Sequence, residues 1–425
     1  DGVDYVPLPR WRAFLIQLLN IAGTGPIFGA VLGACFGPVA FLWITFGGIF
    51  MGAMHDYLSG MMLVRNDGLS IPEVVGRYLG EGMRHFMRIF SVLLLVLVGA
   101  VFLLSPAQLL ANMVPAISCP VWVWLILAYY FVATLLPIDK IIGRIYPLFG
   151  VALVAMALGL LGAVIVGDYR IPELTTLHNF QLDPARVPIV PTLFITIACG
   201  AISGFHATQS PLMARCVGNE RACRSVFYGA MISESIIALI WAAVAMAFFG
   251  GAGELSAALG EHGGSAAWAV DTISNGMLGV VAAPITSGDT AFRSARLIIA
   301  DMLHLEQRSK LKRFYICIPL FAVGYWITQV DFDVVWRYFA WTNQTLATIV
   351  LWAIVVFLQR RRSNRWVGLL PALFMTFVCS SFLFVSDQFL GMENRTAAYA
   401  CGVAVTVAVT AGMLLKLKHD AKSNS

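Results

Sequence analysis

The chain has 425 residues, of which 59% are hydrophobic and 12% charged, with a mean hydropathy of +0.81. A soluble domain carries roughly 25% charged residues, so this composition excludes a soluble globular protein and describes a polytopic, all-α membrane protein. The formal net charge of +5 does not point to nucleic acid, because the basic residues are scattered over short loops rather than gathered along one face.

The chain opens on Asp1 rather than Met, which reads as a fragment, a processed form or a trimmed chain, with no signal peptide visible. Twelve hydrophobic segments follow, at about 13–34, 38–64, 87–110, 120–136, 145–166, 189–214, 225–250, 268–286, 314–329, 342–358, 366–386 and 396–416. A crossing needs roughly 20 apolar residues, so the fourth and tenth are a little short. The eighth is weak. Its uninterrupted apolar part, Met277–Ile285, covers only about 14 Å at 1.5 Å per residue. It completes a crossing only by taking in Asp271, Ser274, Asn275 and Gly276. Either this helix lines a wet cavity or residues near 276–284 are missing.

Loop charges test the count. With the N-terminus and every second loop in the cytoplasm, all of the 28 Lys and Arg fall on that side except Arg170, Arg186, Arg337 and Arg395. This is the positive-inside pattern. It places both termini and the loops at 65–86, 215–224 and 287–313 in the cytoplasm, and those at 167–188 and 251–267 outside. Arg360–Arg362 reads as a topology anchor first and a lipid-headgroup contact second.

The first and sixth segments are each interrupted near mid-span, at Gln17–Gly33 (QLLNIAGTGPIFGAVLG) and Ile195–Pro211 (ITIACGAISGFHATQSP). Lipid cannot hydrogen-bond unwound backbone, so such a break is tolerated only where it lines a cavity. One break per half, five helices apart and of opposite orientation, is the 5+5 inverted repeat of LeuT-like transporters. The expected organisation is a stub (1–12), a first repeat (13–166), an inverted second repeat (189–358), two extra peripheral helices (366–416) and a cytoplasmic tail (417–425).

In Asn20-Ile-Ala-Gly23-Thr24-Gly25-Pro26, Pro26 removes a backbone donor and the glycines permit non-helical angles. The second half-helix would begin near Pro26 and offer its N–H groups to a carboxylate. The plainer reading is a kink for close packing. A nucleotide loop is a poor fit, since the glycine spacing is wrong for GxGxxG and no strand precedes it. The second break is denser in polar groups: Ser203, Gly204, His206, Gln209 and Ser210. His206 sits near mid-membrane, where an ionisable group is a functional candidate, and its type suits proton coupling; a neutral structural hydrogen-bonder is the alternative. Ser203-Gly204 is similar to an intramembrane protease nucleophile, but Ala201 stands where that motif needs Gly.

Thr286-Ser287-Gly288-Asp289-Thr290 is expected to close the eighth segment. It reads either as hard oxygen donors for Na⁺ or a proton, or as the N-cap of a following amphipathic helix. His55-Asp56 ends the second segment and reads as interfacial. Glu234 lies deeper, in the seventh, with Arg224 as a candidate partner. Trp341-Thr342-Asn343-Gln344-Thr345 reads as an outer gate or an interface belt. The cysteines carry little: Cys199, Cys317, Cys379 and Cys401 lie in apolar runs, and Cys216 and Cys223 lack metal-ligand spacing. No metal site or cofactor is expected.

The strings DGVDYVP, IAGTGP, HDYLSG, FITIACGAISGFHATQSPLMAR, PITSGDTAFRSARLIIAD and RYFAWTNQTLATIVLW together resemble the carbon starvation protein A (CstA) family, in its shorter branch. The resemblance implies a bacterial inner-membrane transporter of the amino acid–polyamine (APC) superfamily with a LeuT-like fold. It would take up peptides or pyruvate in nutrient shortage. Members usually carry another helix before the DGVDYVP-like stretch and a longer apolar run before the PITSGDT-like one.

No GxxxxGK[ST] motif is present, so an ion gradient, H⁺ or Na⁺, is the expected energy source. The expected partners are the bilayer, the coupling ion and a small substrate: a peptide, an amino acid or pyruvate. No enzyme activity is expected. The substrate candidates are Asn20, Gly23, Thr24, Gly25, Ser203, Gly204, His206, Gln209 and Ser210; the ion-coupling candidates are His206, Glu234, Thr286, Ser287 and Asp289. The rival readings are an intramembrane sensor or enzyme, and a metal-ion carrier, for which the first break offers only Asn20.

Overall fold

Both suspected breaks are present in the computed structural model, which describes residues 7–135, 138–167, 169–274, 278–305, 310–330 and 332–423. The first span starts as α1 (Arg10–Ile21), then bends by 59° into a π-helical turn (Gly25–Gly29) and α2 (Ala30–Ala34). The second runs through α3 (Val39–Leu42), a π-helical stretch (Trp43–Gly52) and α4 (Ala53–Val64). After a short amphipathic α5 (Ile71–Leu79) come α6 (Glu81–Met113), α7 (Cys119–Leu135) and α8 (Ile138–Val166). The sixth span is α9 (Ile189–Thr196) and α10 (Gly204–Ala214), joined by the non-helical residues 197–203. A π-helical turn (Arg224–Gly229) leads into α11 (Ala230–Phe249). Two short helices follow, α12 (Ala252–Glu261) and α13 (Ala266–Ser274), and then α14 (Leu278–Met302) and α15 (Lys310–Ile327). The last three are α16 (Phe332–Arg360), α17 (Trp366–Val385) and α18 (Arg395–Ser423). No strand occurs among the described residues, which hold only one isolated bridge, between Leu8 and Val217.

Seven described helices are long and apolar enough to cross a bilayer, and the bent first pair raises this to eight. Large apolar side chains such as Phe46, Phe50, Ile89, Leu158, Ile165, Trp326 and Leu370 are exposed on the outer flanks of the bundle. Lipid as solvent accounts for them, because backbone hydrogen bonds are satisfied within each helix and the side chains face hydrocarbon. The span in α18 is only 11% buried against 83% for the one in α16 and 61% for the one in α17, so α18 lies at the periphery of the bundle.

The central position belongs to α1, α10 and α14. Helix α14 packs along α6 and α8 and touches α1 and α10; α10 also lies against α4 and α16. The expectation that Thr286–Thr290 closes the eighth segment is corrected here. The string lies inside α14, which continues without a cap to Met302. Thr286, Ser287, Asp289, Thr290, Arg293 and Arg296 are all buried. A single helix accommodates them because they find partners on neighbouring helices: the Arg293 guanidinium donates to the Ala133 carbonyl at 2.6 Å. The loop placed at 287–313 therefore loses its first half to the helix. Asn275, Gly276 and Met277, in the suspected gap, lie outside the described residues, as do residues 1–6 of the stub and 424–425 of the tail.

Candidate functional site

At the first break α1 ends on Ala22, whose φ of −81° and ψ of 65° leave the helical region. Thr24 then starts a new turn, its carbonyl accepting from the N–H of Ile27 at 3.1 Å and of Phe28 at 2.7 Å. The two glycines act differently from the sequence expectation. Neither takes a left-handed φ; instead, a Cβ on Gly23 would lie 2.4 Å from the Phe102 ring, and one on Gly25 would lie 2.3 Å from Cys199 Cβ. The missing side chain of Gly25 lets the two broken spans touch, and that of Gly23 admits the Phe102 ring of α6. Gln17, Asn20 and Thr24 are fully buried around this point. Both polar atoms of Gln17, Asn20 Oδ1 and Thr24 Oγ1 have no hydrogen-bond partner among the described residues. Buried polar atoms are nearly always partnered, so this cluster has the character of a ligand or water site. Gln17 was absent from the sequence candidates; one turn before Asn20, it reads in sequence as an ordinary helix residue.

At the second break α10 begins after Ser203 in extended backbone (φ −147°, ψ 129°). Its first turn is held from another helix. Asn343 Oδ1, on α16, accepts from the Phe205 N–H at 2.7 Å and from the Ser203 hydroxyl at 3.1 Å. A Cβ on Gly204 would be 2.4 Å from the Asn343 carbonyl oxygen, so α10 and α16 meet backbone to backbone. Ser203 and Gly204 therefore position the half-helix. Asn343 is fully buried, which corrects the interface-belt reading of 341–345: the amide turns inward because buried donors at the break need an acceptor. Ser210 donates to the His206 carbonyl at 2.9 Å, and Gln209 Oε1 accepts from Ser294 of α14 at 3.3 Å.

His206 joins a buried chain of titratable groups. Asp56 Oδ2 accepts from His206 Nδ1 at 2.8 Å, and Asp56 Oδ1 accepts from His55 Nδ1 at 2.8 Å. On the far side of the ring, His206 Nε2 lies 3.3 Å from Glu234 Oε2. His55, Asp56, His206 and Glu234 are all 0% exposed. The interfacial reading of His55-Asp56 is thereby corrected. At the end of the second span's π-helical stretch a Cβ on Gly52 would lie 2.1 Å from the Ala201 carbonyl oxygen. This close approach carries Asp56 to the second break. The partner of Glu234 is His206 rather than Arg224. An ionic chain enclosed by three spans can store and pass a proton, because each member has a neighbour that accommodates the charge.

The same place offers metal donors. Cys199, His206 and Glu234 present ligand atoms within 4.8 Å of one another. These donors come from the sixth and seventh spans alone, and Asp56 already occupies one nitrogen of the ring.

On α14 the Ser287 hydroxyl donates to the Leu19 carbonyl at 2.7 Å, one residue before Asn20. The hydroxyl string and the first break are thus in contact.

The two ends of the bundle differ. On the Arg-poor face a cavity of about 540 Å³ is lined by Phe36, Thr196, Trp336, Arg337, Arg186 and Asp387, among others. Its floor is aromatic: Trp336 packs on Phe28 at 6.0 Å and Phe339 at 5.3 Å between ring centroids. On the Arg-rich face the entry of α1 is fastened. The Leu8 N–H donates to the Cys216 carbonyl at 3.0 Å, and Arg10 Nε to Ser225 Oγ at 2.6 Å. Arg65 grips both carboxylate oxygens of Glu220 at 3.0 and 3.1 Å, and that hydrogen bond raises the Arg65 pKa above its ordinary value.

Comparison with known proteins agrees with this architecture. A family model described as carbon starvation protein CstA matches residues 1–119 and 107–284. An uncharacterized membrane protein of Haemophilus influenzae is 45% identical over 300 residues, covering 59% of this chain and 81% of that one. Peptide transporter CstA of Escherichia coli is 24% identical over 510 residues (87% of this chain, 73% of that one). Pyruvate/proton symporter BtsT of the same organism is 26% identical over 302 residues, and the match spans 56% of this chain and only 42% of BtsT. Among solved structures, MhsT in complex with L-phenylalanine aligns with a TM-score of 0.58 at 15% identity, over 95% of this chain and 99% of that one. A manganese transporter of Eremococcus coleocola aligns at 0.57 and 14% identity, over 100% and 99%. These likenesses show the LeuT fold, and with a family model reaching from residue 1 to residue 284, the chain belongs to the CstA family.

Proposed function

We propose that this protein is a secondary active importer of small carboxylate nutrients, peptides or pyruvate, in the bacterial inner membrane, with the proton as its coupling ion. The observation that carries the reading is the fully buried chain His55–Asp56–His206–Glu234 at the second break. Charged side chains in hydrocarbon are costly and persist where they move ions. The unpartnered polar atoms of Gln17, Asn20 and Thr24, together with Gln209, supply a substrate site beside that chain. Relatives named as a peptide transporter and a pyruvate/proton symporter support both halves of the reading. Residues 13–166 and 189–358 act as the two inverted repeats, with both termini cytoplasmic. The Arg-poor cavity then opens outward and the Arg-rich fastening of α1 closes the inner side, an outward-facing arrangement. A 100 mV potential provides about 2.3 kcal/mol per charge moved, worth nearly 50-fold accumulation.

The test is uptake by the purified protein in proteoliposomes, with pyruvate, dipeptides and amino acids offered under imposed proton or sodium gradients. Accumulation driven by a proton gradient is expected. His206→Gln keeps a polar group of similar reach but cannot titrate; it should lose gradient-driven accumulation and keep substrate exchange, which needs no net proton movement. A protein that binds substrate yet accumulates none would be a sensor. Unchanged, pH-dependent accumulation by the variant would remove His206 from the coupling path. One observation favours sodium instead: Ser287 touches the Leu19 carbonyl, which would give a hard cation two oxygen donors beside the first break. Accumulation that follows sodium and ignores pH would select that reading.

A further inference from the structure

We propose that Arg337 and Arg186 form an outer capture site for the substrate's carboxylate, in the cavity above the aromatic floor and separate from the two breaks. The proposal rests on the importer reading for its substrate class and for the side on which the cavity opens.

Basic residues are depleted on the outer side of inner-membrane proteins, and only Arg170, Arg186, Arg337 and Arg395 fall on the Arg-poor face of this chain. Three of those four converge on one cavity. Arg186 and Arg337 line it. Arg395 braces its rim, donating to the carbonyls of Val385 and Arg186. Such clustering is not what topology requires, since topology is served by keeping arginines off this face.

The two lining arginines have different roles. Arg186 is held by Asp387 through a short ion pair, a hydrogen bond that raises its pKa above the ordinary value. Asp387 is the only carboxylate among the cavity's described lining residues, and it is engaged there. Arg337 is exposed and makes no hydrogen bond or ion pair with any described residue. It also sits in the second turn of α16. Its side chain lines the cavity and is open to solvent, so its guanidinium is available to a carboxylate entering from that side. Among the described lining residues two guanidiniums face one carboxylate, which leaves a surplus positive charge. A planar guanidinium binds a carboxylate through two parallel hydrogen bonds. Its neighbour Trp336 forms the floor against Phe28, and Phe28 belongs to the π-helical turn of the first break. A carboxylate held at Arg337 therefore waits one aromatic layer above the proposed substrate site.

The experiment uses the full chain in proteoliposomes, with its native cysteines replaced, and radiolabelled pyruvate and dialanine as probes. Arg337→Gln should raise the uptake KM about tenfold, about 1.4 kcal/mol, and leave the maximal rate nearly unchanged; Arg337→Lys, which keeps the charge but not the paired hydrogen bonds, should recover part of the loss. Arg337→Cys should behave like Arg337→Gln. Coupling a cationic thiosulfonate to it from outside should restore the KM, and an anionic one should raise it further. Pyruvate or dialanine should slow that modification, and glycerol should not. If the unmodified protein fails to accumulate either probe, the importer reading fails, while protection of Arg337→Cys by the carboxylates still sustains the capture site. Equal KM values with neutral, cationic and anionic groups at 337, or no protection by either carboxylate, would overturn it.

Discussion

Asn343→Ala tests the claim that one amide on α16 holds the second break in shape. Asn343 Oδ1 accepts from two buried donors, the Phe205 N–H at 2.7 Å and the Ser203 hydroxyl at 3.1 Å. Alanine leaves both without that acceptor. A buried donor left unpaired costs about 1–3 kcal/mol. The Ser203 hydroxyl has a fallback in Cys199 Sγ at 3.6 Å and should sit at the low end of that range. The Phe205 N–H, in the first turn of α10, has no such fallback and should sit higher. The sum is about 2–4 kcal/mol, before any contribution from the emptied space. Ser203→Ala alone, which removes one donor along with its need, should cost about 1 kcal/mol. The double variant should cost less than the sum of the two singles by about 0.5–1.5 kcal/mol, because the hydroxyl that Asn343→Ala strands is already gone. Equilibrium unfolding in mixed micelles by increasing SDS fraction measures all three. An Asn343→Ala protein within about 0.5 kcal/mol of the parent, or strict additivity in the double variant, would show that the contacts do not support the half-helix.

Other outcomes follow from the same geometry. Gly25→Val should abolish uptake while folded protein remains in the membrane, because its side chain must enter the space of Cys199; Cys199→Gly in the same chain should recover part of the activity, and normal kinetics in Gly25→Val alone would reduce the break to a kink. Leu8→Cys paired with Val217→Cys, in a background without other cysteines, should cross-link α1 to the loop after α10 and stop uptake until a reductant is added. Transport by the cross-linked protein would show that α1 stays in place during the cycle. Thr175→Cys, on the exposed part of the 169–188 segment, should react with an impermeant reagent in intact cells; reaction only after permeabilisation would invert the topology. Ser287→Ala should leave uptake in sodium-free buffer unchanged under proton coupling, and a loss confined to sodium-containing buffer would assign the ion to α14.

Much of the fold was legible because membrane helices declare themselves locally. The apolar runs, the glycine and proline clusters at 23–26 and 200–211, and the uneven loop charges each act over about 20 residues. The eighth segment misled for the same reason. Thr286–Thr290 and Arg293 look like a loop by composition, and only the partners across the bundle, such as Tyr130 near Gly288 and the Ala133 carbonyl under Arg293, make that stretch helical and buried. His206 and Glu234 were legible as intramembrane ionisable groups, since either is conspicuous in an apolar run. Asp56 was not, because a carboxylate near the end of a span usually lies at the interface, and the close approach of Gly52 to Ala201 that brings it to the second break is a contact between distant segments.

The sequence by itself determined the solvent and the two places where helices must break, because each follows from what one segment costs in lipid. Only the tertiary structure decided which polar groups meet. Asp56 and His206 are separated by 150 residues, and Phe205 and Asn343 by 138. An apolar helix in hydrocarbon has no strongly preferred face to hide, so its rotation and depth are set by the small residues and hydrogen bonds of its neighbours. Those contacts bring three spans around His206 and turn Asn343 inward, and no periodicity along the chain encodes that arrangement.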